Sequence, residues 1–194
     1  MNATLQNADI IFQTSSSNQS NAIMWASKSL YSHVGLIEKS GDKTYVIEAI
    51  SKVSRTPIEI WIARGRLDRY AVYRHENLSP AAQSEIMAAA KSLLGRKYDI
   101  LFTSDNLEIY CSELVAIAYQ KSNIALGSFQ KVSELDVDNF LVKKLVRARW
   151  KKHPVCKHSK TFEDCWPKIL EDKLITPIGL TTDQKLKLFF SNYP

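Results

Sequence analysis

Residues 31–50 read YSHVGLIEKSGDKTYVIEAI. Two runs rich in β-branched and aromatic residues flank a central Ser-Gly-Asp, which predicts a β-hairpin. A turn centred between Ser40 and Gly41 pairs residues whose numbers add up to 81, and this register places His33 directly opposite Glu48. Opposed side chains have Cβ atoms about 4.5–5.5 Å apart. At that separation a carboxylate bonds to an imidazole, fixes its tautomer and stabilises its protonated form.

An oriented base of this kind serves a nucleophile, and Cys111 is the candidate. It precedes a run from Ser112 to Tyr119 that has helix-forming residues and apolar positions at helical spacing. We expect Cys111 in the first turn of that helix, where the dipole and free N–H groups lower the pKa of a thiol. The sequence therefore predicts Cys111 as nucleophile, His33 as base and Glu48 as the group that orients the base.

The composition is that of an ordinary globular chain. It has 194 residues, of which 45% are hydrophobic and 24% charged, and we expect one domain over residues 1–194. Three cysteines exclude a disulfide-dense scaffold. We find neither a Gly-rich phosphate loop nor a convincing set of metal ligands, so we expect no cofactor and no metal.

No signal peptide is visible in the first eight residues. The localisation stays open. A cytoplasmic protein fits this sequence, and so does one of the periplasm or cell envelope whose leader has been trimmed.

The positive charge of the chain lies in one segment, at about residues 141–166. The net charge is +6, from 26 basic and 20 acidic residues, and eight of the basic residues fall between Lys143 and Lys160. Without those eight, 18 basic residues face 20 acidic ones, a net charge of −2. Apolar residues interleave with them at roughly helical spacing: Leu141, Val142, Leu145, Val146 and Trp150. The pattern fits an amphipathic helix on an anionic membrane surface, or one that packs on the domain with solvated charges. Nucleic acid is the less favoured partner.

Four residues of this segment suggest zinc: His153, Cys156, His158 and Cys165. Their spacing matches no common structural zinc pattern. A disulfide between Cys156 and Cys165 is the alternative in an exported protein, and two free thiols in a loop are the third.

The remaining pattern predicts an α+β fold, in which an antiparallel sheet carries His33 and Glu48 and the Cys111 helix packs against it. Apolar periodicity and capping signals predict helices at residues 18–30, 57–65, 79–95 and 132–150, a loop at 151–166 and a turn at 176–180. Further strands are expected at 9–13, 69–74 and 186–190.

Five short motifs resemble, in this order, the YiiX/YebB-like family: Asp9-Ile10-Ile11-Phe12-Gln13, Tyr31-Ser32-His33-Val34-Gly35, Glu48-Ala49, Gly95-Arg96-Lys97-Tyr98-Asp99 and Tyr110-Cys111-Ser112-Glu113. These bacterial cysteine hydrolases are related to NlpC-type cell-wall amidases and have a circularly permuted papain-like fold. The resemblance implies that fold, in which the histidine precedes the cysteine, and a Cys111–His33–Glu48 triad. It also implies hydrolysis of an amide or ester, in a cell-wall peptide or a lipid-linked substrate. Relatives often have Gly before the first Asp, where this chain has Ala8; we expect that change to affect the turn and not the triad.

Further polar groups are candidates around the nucleophile. The backbone N–H of Cys111 is the expected oxyanion donor, and Tyr31, Asp9 and Tyr110 are candidate substrate or oxyanion residues. The leading function is a cysteine peptidase or amidase. A lipid acyltransferase or lipase on the same scaffold is one alternative, and an apolar pocket beside Cys111 would favour it. The other is a non-catalytic module that binds a membrane or nucleic acid through residues 143–160.

Overall fold

The computed structural model describes residues 4–17, 19–103 and 107–194. Its strands are β1 (Ile10–Ser15), β2 (His33–Ser40), β3 (Lys43–Ala49), β4 (Val53–Pro57), β5 (Gly65–His75), β6 (Gln130–Lys131), β7 (Lys173–Leu174) and β8 (Leu186–Ser191). Its helices are α1 (Ser20–Ser27), α2 (Ile58–Ala63), α3 (Pro80–Ser92), α4 (Cys111–Gln120), α5 (Phe140–Arg147), α6 (Phe162–Glu171) and α7 (Pro177–Thr181). In these residues we find no helix with the length and apolar character that a membrane span requires.

Six strands form one antiparallel sheet in the order β4-β3-β2-β1-β5-β8, and β6 pairs with β7 separately. Since strand residues alternate between faces, the sheet buries two sets of side chains. One face, with Phe12, Val34 and Leu36, packs against α3 and α4. The opposite face, with Ile37 and Val46, packs against α2. This architecture confirms the predicted α+β class.

The predicted hairpin forms, but its register differs by two residues from the predicted one. Ser40 pairs with Lys43 across a Gly41-Asp42 turn, so Glu48 lies opposite Gly35 and not opposite His33. The reason is the turn, since Gly41 has a φ of 59° and so takes the first position of a two-residue loop. An even shift keeps every side chain on its predicted face.

The second half of the chain departs further from the prediction. The helix expected at 132–150 is α-helical only from 140 to 147, with 3-10 turns at either end. The loop expected at 151–166 contains a 3-10 turn and the start of α6, whose Thr161 accepts from the Asp164 N–H at 3.1 Å in a capping box. A capping box is readable in a sequence, so this helix start was predictable. The predicted turn at 176–180 is the short helix α7.

Cys156 and Cys165 are joined in a disulfide. The bond lies between a 3-10 turn and α6, in a small apolar cluster that also includes Val132 and Ile169. Of the alternatives that the sequence left open, the structure therefore has the disulfide.

Smaller differences concern the ends of elements. The helix expected at 18–30 spans Ser20–Ser27, because Lys28 takes a left-handed conformation and ends it; Asn18 lies outside the described residues. Leu30, the last residue of the predicted helix, lies outside α1 and is exposed. Ala8 has a φ of 69°, a conformation that favours glycine, and its turn nevertheless forms, with a hydrogen bond from the Ala8 N–H to the Ile37 carbonyl at 3.0 Å.

Gly35 is the position of the hairpin that we expect to tolerate substitution least. A Cβ there would overlap the Val46 side chain and lie 2.9 Å from the Ile47 carbonyl oxygen. Because both neighbours belong to the buried sheet, we expect Gly35→Ala to lower the free energy of unfolding by about 1–3 kcal/mol, measured by urea denaturation.

Gly41→Asn in the turn is the matched control. Nothing lies within 4 Å of a Cβ at Gly41, and asparagine tolerates the left-handed conformation. Its free energy of unfolding should change by less than about 1 kcal/mol. Equal losses in the two variants would contradict the packing argument.

Candidate active site

Cys111 is the first residue of α4 and is almost fully buried. The residue before it, Tyr110, is extended, and the Glu113 carboxylate accepts a hydrogen bond from the Tyr110 N–H at 3.4 Å. The helix therefore starts at the thiol, where the N–H groups of a first turn have no acceptor within the helix and the dipole favours negative charge.

His33 is the first residue of β2, and its side chain projects from the sheet face that packs against Trp61 of α2. Its ring lies nearly parallel to the Trp61 ring, with 5.9 Å between centroids. Nε2 lies 2.7 Å from an oxygen of Glu48, which leaves Nδ1 for the thiol of Cys111. The predicted His–Glu contact thus forms as a diagonal pair across the Gly35 position, where no side chain intervenes.

Glu48 is completely buried and is bound on both carboxylate oxygens. One accepts from His33; the other accepts from the Thr56 hydroxyl at 2.6 Å and from the Arg64 guanidinium. Burial alone would raise the pKa of Glu48, but these partners outweigh it and hold the pKa below its usual value. Sequence reasoning missed Thr56 and Arg64, because nothing local in the sequence links them to residue 48.

Cys111 and His33 shift each other's pKa in opposite directions. Burial alone would raise the pKa of Cys111, but hydrogen bonds from His33, Ser112 and the Val34 N–H, together with the His33 charge, bring it below the ordinary thiol value. Burial alone would lower the pKa of His33, but Cys111 and Glu48 outweigh it and raise the pKa to about 9. The arrangement therefore favours a thiolate–imidazolium pair at neutral pH.

A cavity of about 120 Å³ opens beside Cys111. Its walls are almost entirely apolar, and they come from α1, the segment around Phe102, α5 and the chain from Trp150 to Pro177. Residues that line it include Ala22, Ile23, Ala26, Val142, Leu145, Val146 and Trp150. Four of the five apolar residues of the basic segment thus face this cavity, whereas Leu141 is exposed.

A chain of hydrogen bonds leads from Arg149, which lines the cavity, to Tyr98. Arg149 donates to the side-chain oxygen of Gln19 at 3.1 Å, and the Gln19 amide donates to the Tyr98 hydroxyl at 3.0 Å. Burial and the nearby charge of Cys111 raise the pKa of Tyr98, so its hydroxyl stays protonated. Tyr98 belongs to one of the five family motifs, but Gln19 and Arg149 gave no signal in the sequence.

Of the three other predicted candidates, only Tyr110 lines the cavity. Asp9 binds the guanidinium of Arg74 through both oxygens, each at 2.7 Å. Tyr31 packs among aromatic rings, including Phe12 and Tyr73. Tyr110 lines the cavity, and its hydroxyl accepts from the Ile175 N–H at 3.0 Å. Their predicted role at the reacting bond stays a prediction.

The basic segment divides into charges that are paired and charges that face solvent. Lys143 pairs with Asp138 and Arg147 with Glu163, both at the surface. Five further lysines are exposed, and the described residues include no ion pair to them: Lys144, Lys151, Lys152, Lys157 and Lys160. Phe140 is 73% exposed at the start of α5.

Comparison with known proteins fits this geometry. A family model described as "permuted papain-like amidase enzyme, YaeF/YiiX, C92 family" matches residues 4–189. The chain belongs to this family. The membership confirms the predicted permuted papain-like fold and a cysteine hydrolase of the amidase kind.

Two relatives from Escherichia coli support the assignment. YiiX of strain K12 is 39% identical over 150 residues, which cover 76% of this chain and 74% of YiiX. A crystal structure of yiiX from strain O157:H7, described as a metalloprotein, is 34% identical and has a TM-score of 0.87 over 99% of this chain and 100% of its own.

The thiol of Cys111 should react with iodoacetamide at mildly acidic pH. A thiol with an ordinary pKa of about 8.5 is mostly protonated at pH ~6 and reacts slowly, whereas one paired with an imidazolium still reacts. We expect labelling of Cys111 at pH ~6, loss of it in His33→Ala and a smaller decrease in Glu48→Gln. Peptide mass spectrometry identifies the labelled cysteine, and reductant is omitted so that the Cys156–Cys165 disulfide stays intact.

His158→Ala is the control, since His158 is exposed and outside the site. It should label like the wild type. Undiminished acidic labelling in His33→Ala would show that the imidazole does not activate the thiol.

Proposed function

We propose that this protein is a cysteine amidase that removes an acyl chain from an amide, with Cys111, His33 and Glu48 as its catalytic triad. The apolar cavity beside Cys111 is the observation that carries the acyl-chain part of the proposal. A peptide would offer alternating polar groups to these walls and leave them without partners. A lipid-linked substrate therefore fits this cavity better than a cell-wall peptide does.

The acylation step follows from the geometry of the triad. The Cys111 thiolate attacks the amide carbon, and the negative charge moves to the carbonyl oxygen. His33 then donates its proton to the nitrogen as the C–N bond breaks, which releases an amine and leaves a thioester on Cys111. Because Nε2 is held by Glu48, Nδ1 is the nitrogen that gives the proton.

Deacylation reverses the roles of the imidazole. Neutral His33 removes a proton from water, the resulting hydroxide attacks the thioester, and the acid leaves as the thiolate and imidazolium re-form. Two donors are available for the oxyanion in both steps: the N–H of Cys111 at the start of α4, and the Tyr98 hydroxyl. Since Gln19 donates to the Tyr98 oxygen, the Tyr98 proton is free to donate to another group.

An acyltransferase is the second candidate, and the same cavity favours it. Both reactions pass through the acyl-Cys111 thioester, and they differ in whether water or another hydroxyl or amine accepts the acyl group. Product analysis with and without a lipid alcohol as acceptor separates the two.

The metalloprotein description of one relative does not extend to the residues described in this chain. Among residues 4–17, 19–103 and 107–194, no group of three or more His, Cys, Asp or Glu side chains is placed to hold a metal ion. The disulfide also removes Cys156 and Cys165 as thiolate ligands. No step of the mechanism runs through a metal.

We also propose that the basic segment contacts an anionic membrane from which a lipid-linked substrate would come. Five exposed lysines lie on the segment whose apolar residues line the cavity, and the exposed ring of Phe140 lies directly before it. Lysines next to an anionic surface attract it electrostatically, and an aromatic ring enters the headgroup region.

The acyl-chain proposal predicts that filling the cavity changes the preferred chain length. Ala26 lines the cavity from α1, and Ala26→Phe would occupy part of the space. We expect this variant to lose about tenfold or more in kcat/KM for decanoyl amides and little for acetyl amides. Intact-mass analysis should show a decanoyl adduct on the wild type that is absent in Cys111→Ser.

Ala81→Phe on the exposed start of α3 is the matched control. It should keep the preference of the wild type for long chains. If the wild type forms no adduct with any acyl amide, the proposed function is wrong. If Ala26→Phe slows all chain lengths alike, the cavity does not bind the chain.

The membrane proposal predicts salt-sensitive binding to anionic vesicles. Reversing Lys144, Lys151, Lys152 and Lys157 to Glu changes the net charge from +6 to −2. Since each lysine near such a surface contributes about 1 kcal/mol, we expect binding to fall at least about a hundredfold in a vesicle sedimentation assay.

A second variant of equal net charge controls for overall charge. It reverses four exposed lysines outside the segment: Lys39, Lys43, Lys121 and Lys187. It should bind vesicles much more tightly than the first variant. If both variants lost vesicle binding equally, the loss would reflect net charge alone, and residues 143–160 would be ordinary solvated surface.

A further inference from the structure

Arg149 belongs to the basic segment and donates hydrogen bonds to Gln19. It is half-buried and lines the cavity, whereas the five exposed lysines of the segment without an ion pair among the described residues lie in solvent. A cation in such a position attracts a partner of opposite charge more strongly than one in water does.

In the described part of the chain, all hydrogen-bond acceptors of the guanidinium are uncharged. Both terminal nitrogens donate to the Gln19 oxygen at 3.1 Å, and Nη1 also donates to the Ile100 carbonyl at 2.7 Å. The nearby Asp99 does not pair with it, because its oxygens accept from the Leu101 and Thr103 N–H groups at 2.7 and 2.5 Å. The salt bridges of residues 4–17, 19–103 and 107–194 include none with Arg149.

One edge of the Arg149 guanidinium is available to bind a ligand. An arginine has five N–H donors in a plane. One N–H of Nη1 and one of Nη2, at the end of the group, donate to the Gln19 oxygen. The second N–H of Nη1 donates to the Ile100 carbonyl. For the Nε–H and the adjacent Nη2–H, the described residues provide no acceptor. These two are parallel and form the side-on fork that matches a carboxylate or a phosphate.

The position of this fork relates it to the reacting bond. Arg149 lies two hydrogen bonds from Tyr98, and Tyr98 is close enough to Cys111 for the thiolate charge to raise the pKa of its hydroxyl. Ile100, its other partner, lines the cavity as well. Since Arg149 and Cys111 line the same cavity, the cation belongs to the cavity in which the proposed function places the amide.

We propose that Arg149 is a specificity residue that binds an anionic group, a carboxylate or a phosphate, on the amine part of the substrate. The inference deepens the proposed function, on which it rests for the position of the amide. The substrate class would then be acyl amides that carry a negative charge close to the cleaved bond, such as acyl amino acids or acyl aminoalkyl phosphates.

Three substrates of equal chain length test the proposal: N-decanoylethanolamine, which is neutral, N-decanoylglycine and N-decanoyl-O-phosphoethanolamine. A hydrogen bond to a charged group contributes about 1.5–3 kcal/mol, so we expect kcat/KM to favour an anionic substrate at least about tenfold in the wild type. A higher kcat/KM for one of the two anionic substrates shows whether Arg149 binds the carboxylate or the phosphate better. In Arg149→Gln the ratio of anionic to neutral substrate should fall close to one, and in Arg149→Lys to an intermediate value, since lysine keeps the charge and loses the fork.

The ratio separates recognition from a structural role. If Arg149 only held Gln19 and the segment around Ile100, the variants would slow all three substrates equally and the ratio would persist. Lys151→Gln removes an exposed charge of the same segment and should keep the ratio of the wild type at physiological salt, where surface charges are screened beyond about 8 Å. Three results would overturn the proposal: no preference of the wild type for an anionic substrate, a preference that persists in Arg149→Gln, or a preference that Lys151→Gln lowers as much as Arg149→Gln does.

A binding measurement keeps this test independent of turnover. Calorimetry with Cys111→Ser compares the affinities of N-decanoylglycine and N-decanoylethanolamine, with and without Arg149→Gln. Tighter binding of the anion that depends on Arg149 would support the subsite even if the protein hydrolysed none of the amides. Equal affinities would overturn the subsite even if hydrolysis were observed.

Discussion

The buried carboxylate of Glu48 is the constraint on which the site depends. A charge with no exposure to water is stable only when it is fully paired, and its partners come from separate elements: His33 from β2, Thr56 from β4 and Arg64 from the residue after α2. Removing one partner of a buried pair costs about 3–5 kcal/mol. The same contacts that hold the sheet edge and α2 together therefore also fix the orientation of the imidazole.

The site forms where two sheet faces meet at the start of a strand. His33 projects toward the face that packs on α2, whereas Cys111 belongs to the core on the other face. They reach each other because β2 begins at His33, and the thiol accepts from the N–H of Val34, the second residue of the strand. This contact needs only a strand start beside a helix start. The order of histidine and cysteine along the chain is therefore free to be permuted.

Strand periodicity made the pairing of His33 with Glu48 predictable from the sequence. Alternation placed the two on one face, and this prediction tolerated a register error of two residues, because an even shift leaves the face unchanged. Alternation could not predict partners that only the fold brings together. Arg64 lies 16 residues from Glu48, and Arg149 lies 130 residues from Gln19. The cavity combines α1 with segments more than 100 residues later, so no local pattern announces it.

The proposed function assigns chemistry and substrate selection to different parts of the molecule. The triad is held by the sheet, α2 and the start of α4, whereas much of the cavity wall comes from the chain between Val132 and Pro177. That second part has a small apolar cluster of its own, closed by the Cys156–Cys165 disulfide. Because the partners that set the pKa of the thiol lie outside that part, a change in the cavity wall should, on the proposed function, alter which acyl group fits and leave the thiol activated. Arg149 is the exception, since through Gln19 it joins the basic segment to Tyr98. In the proposed mechanism, selection of the amine part of the substrate is therefore coupled to the oxyanion donor, whereas selection of the acyl chain is not.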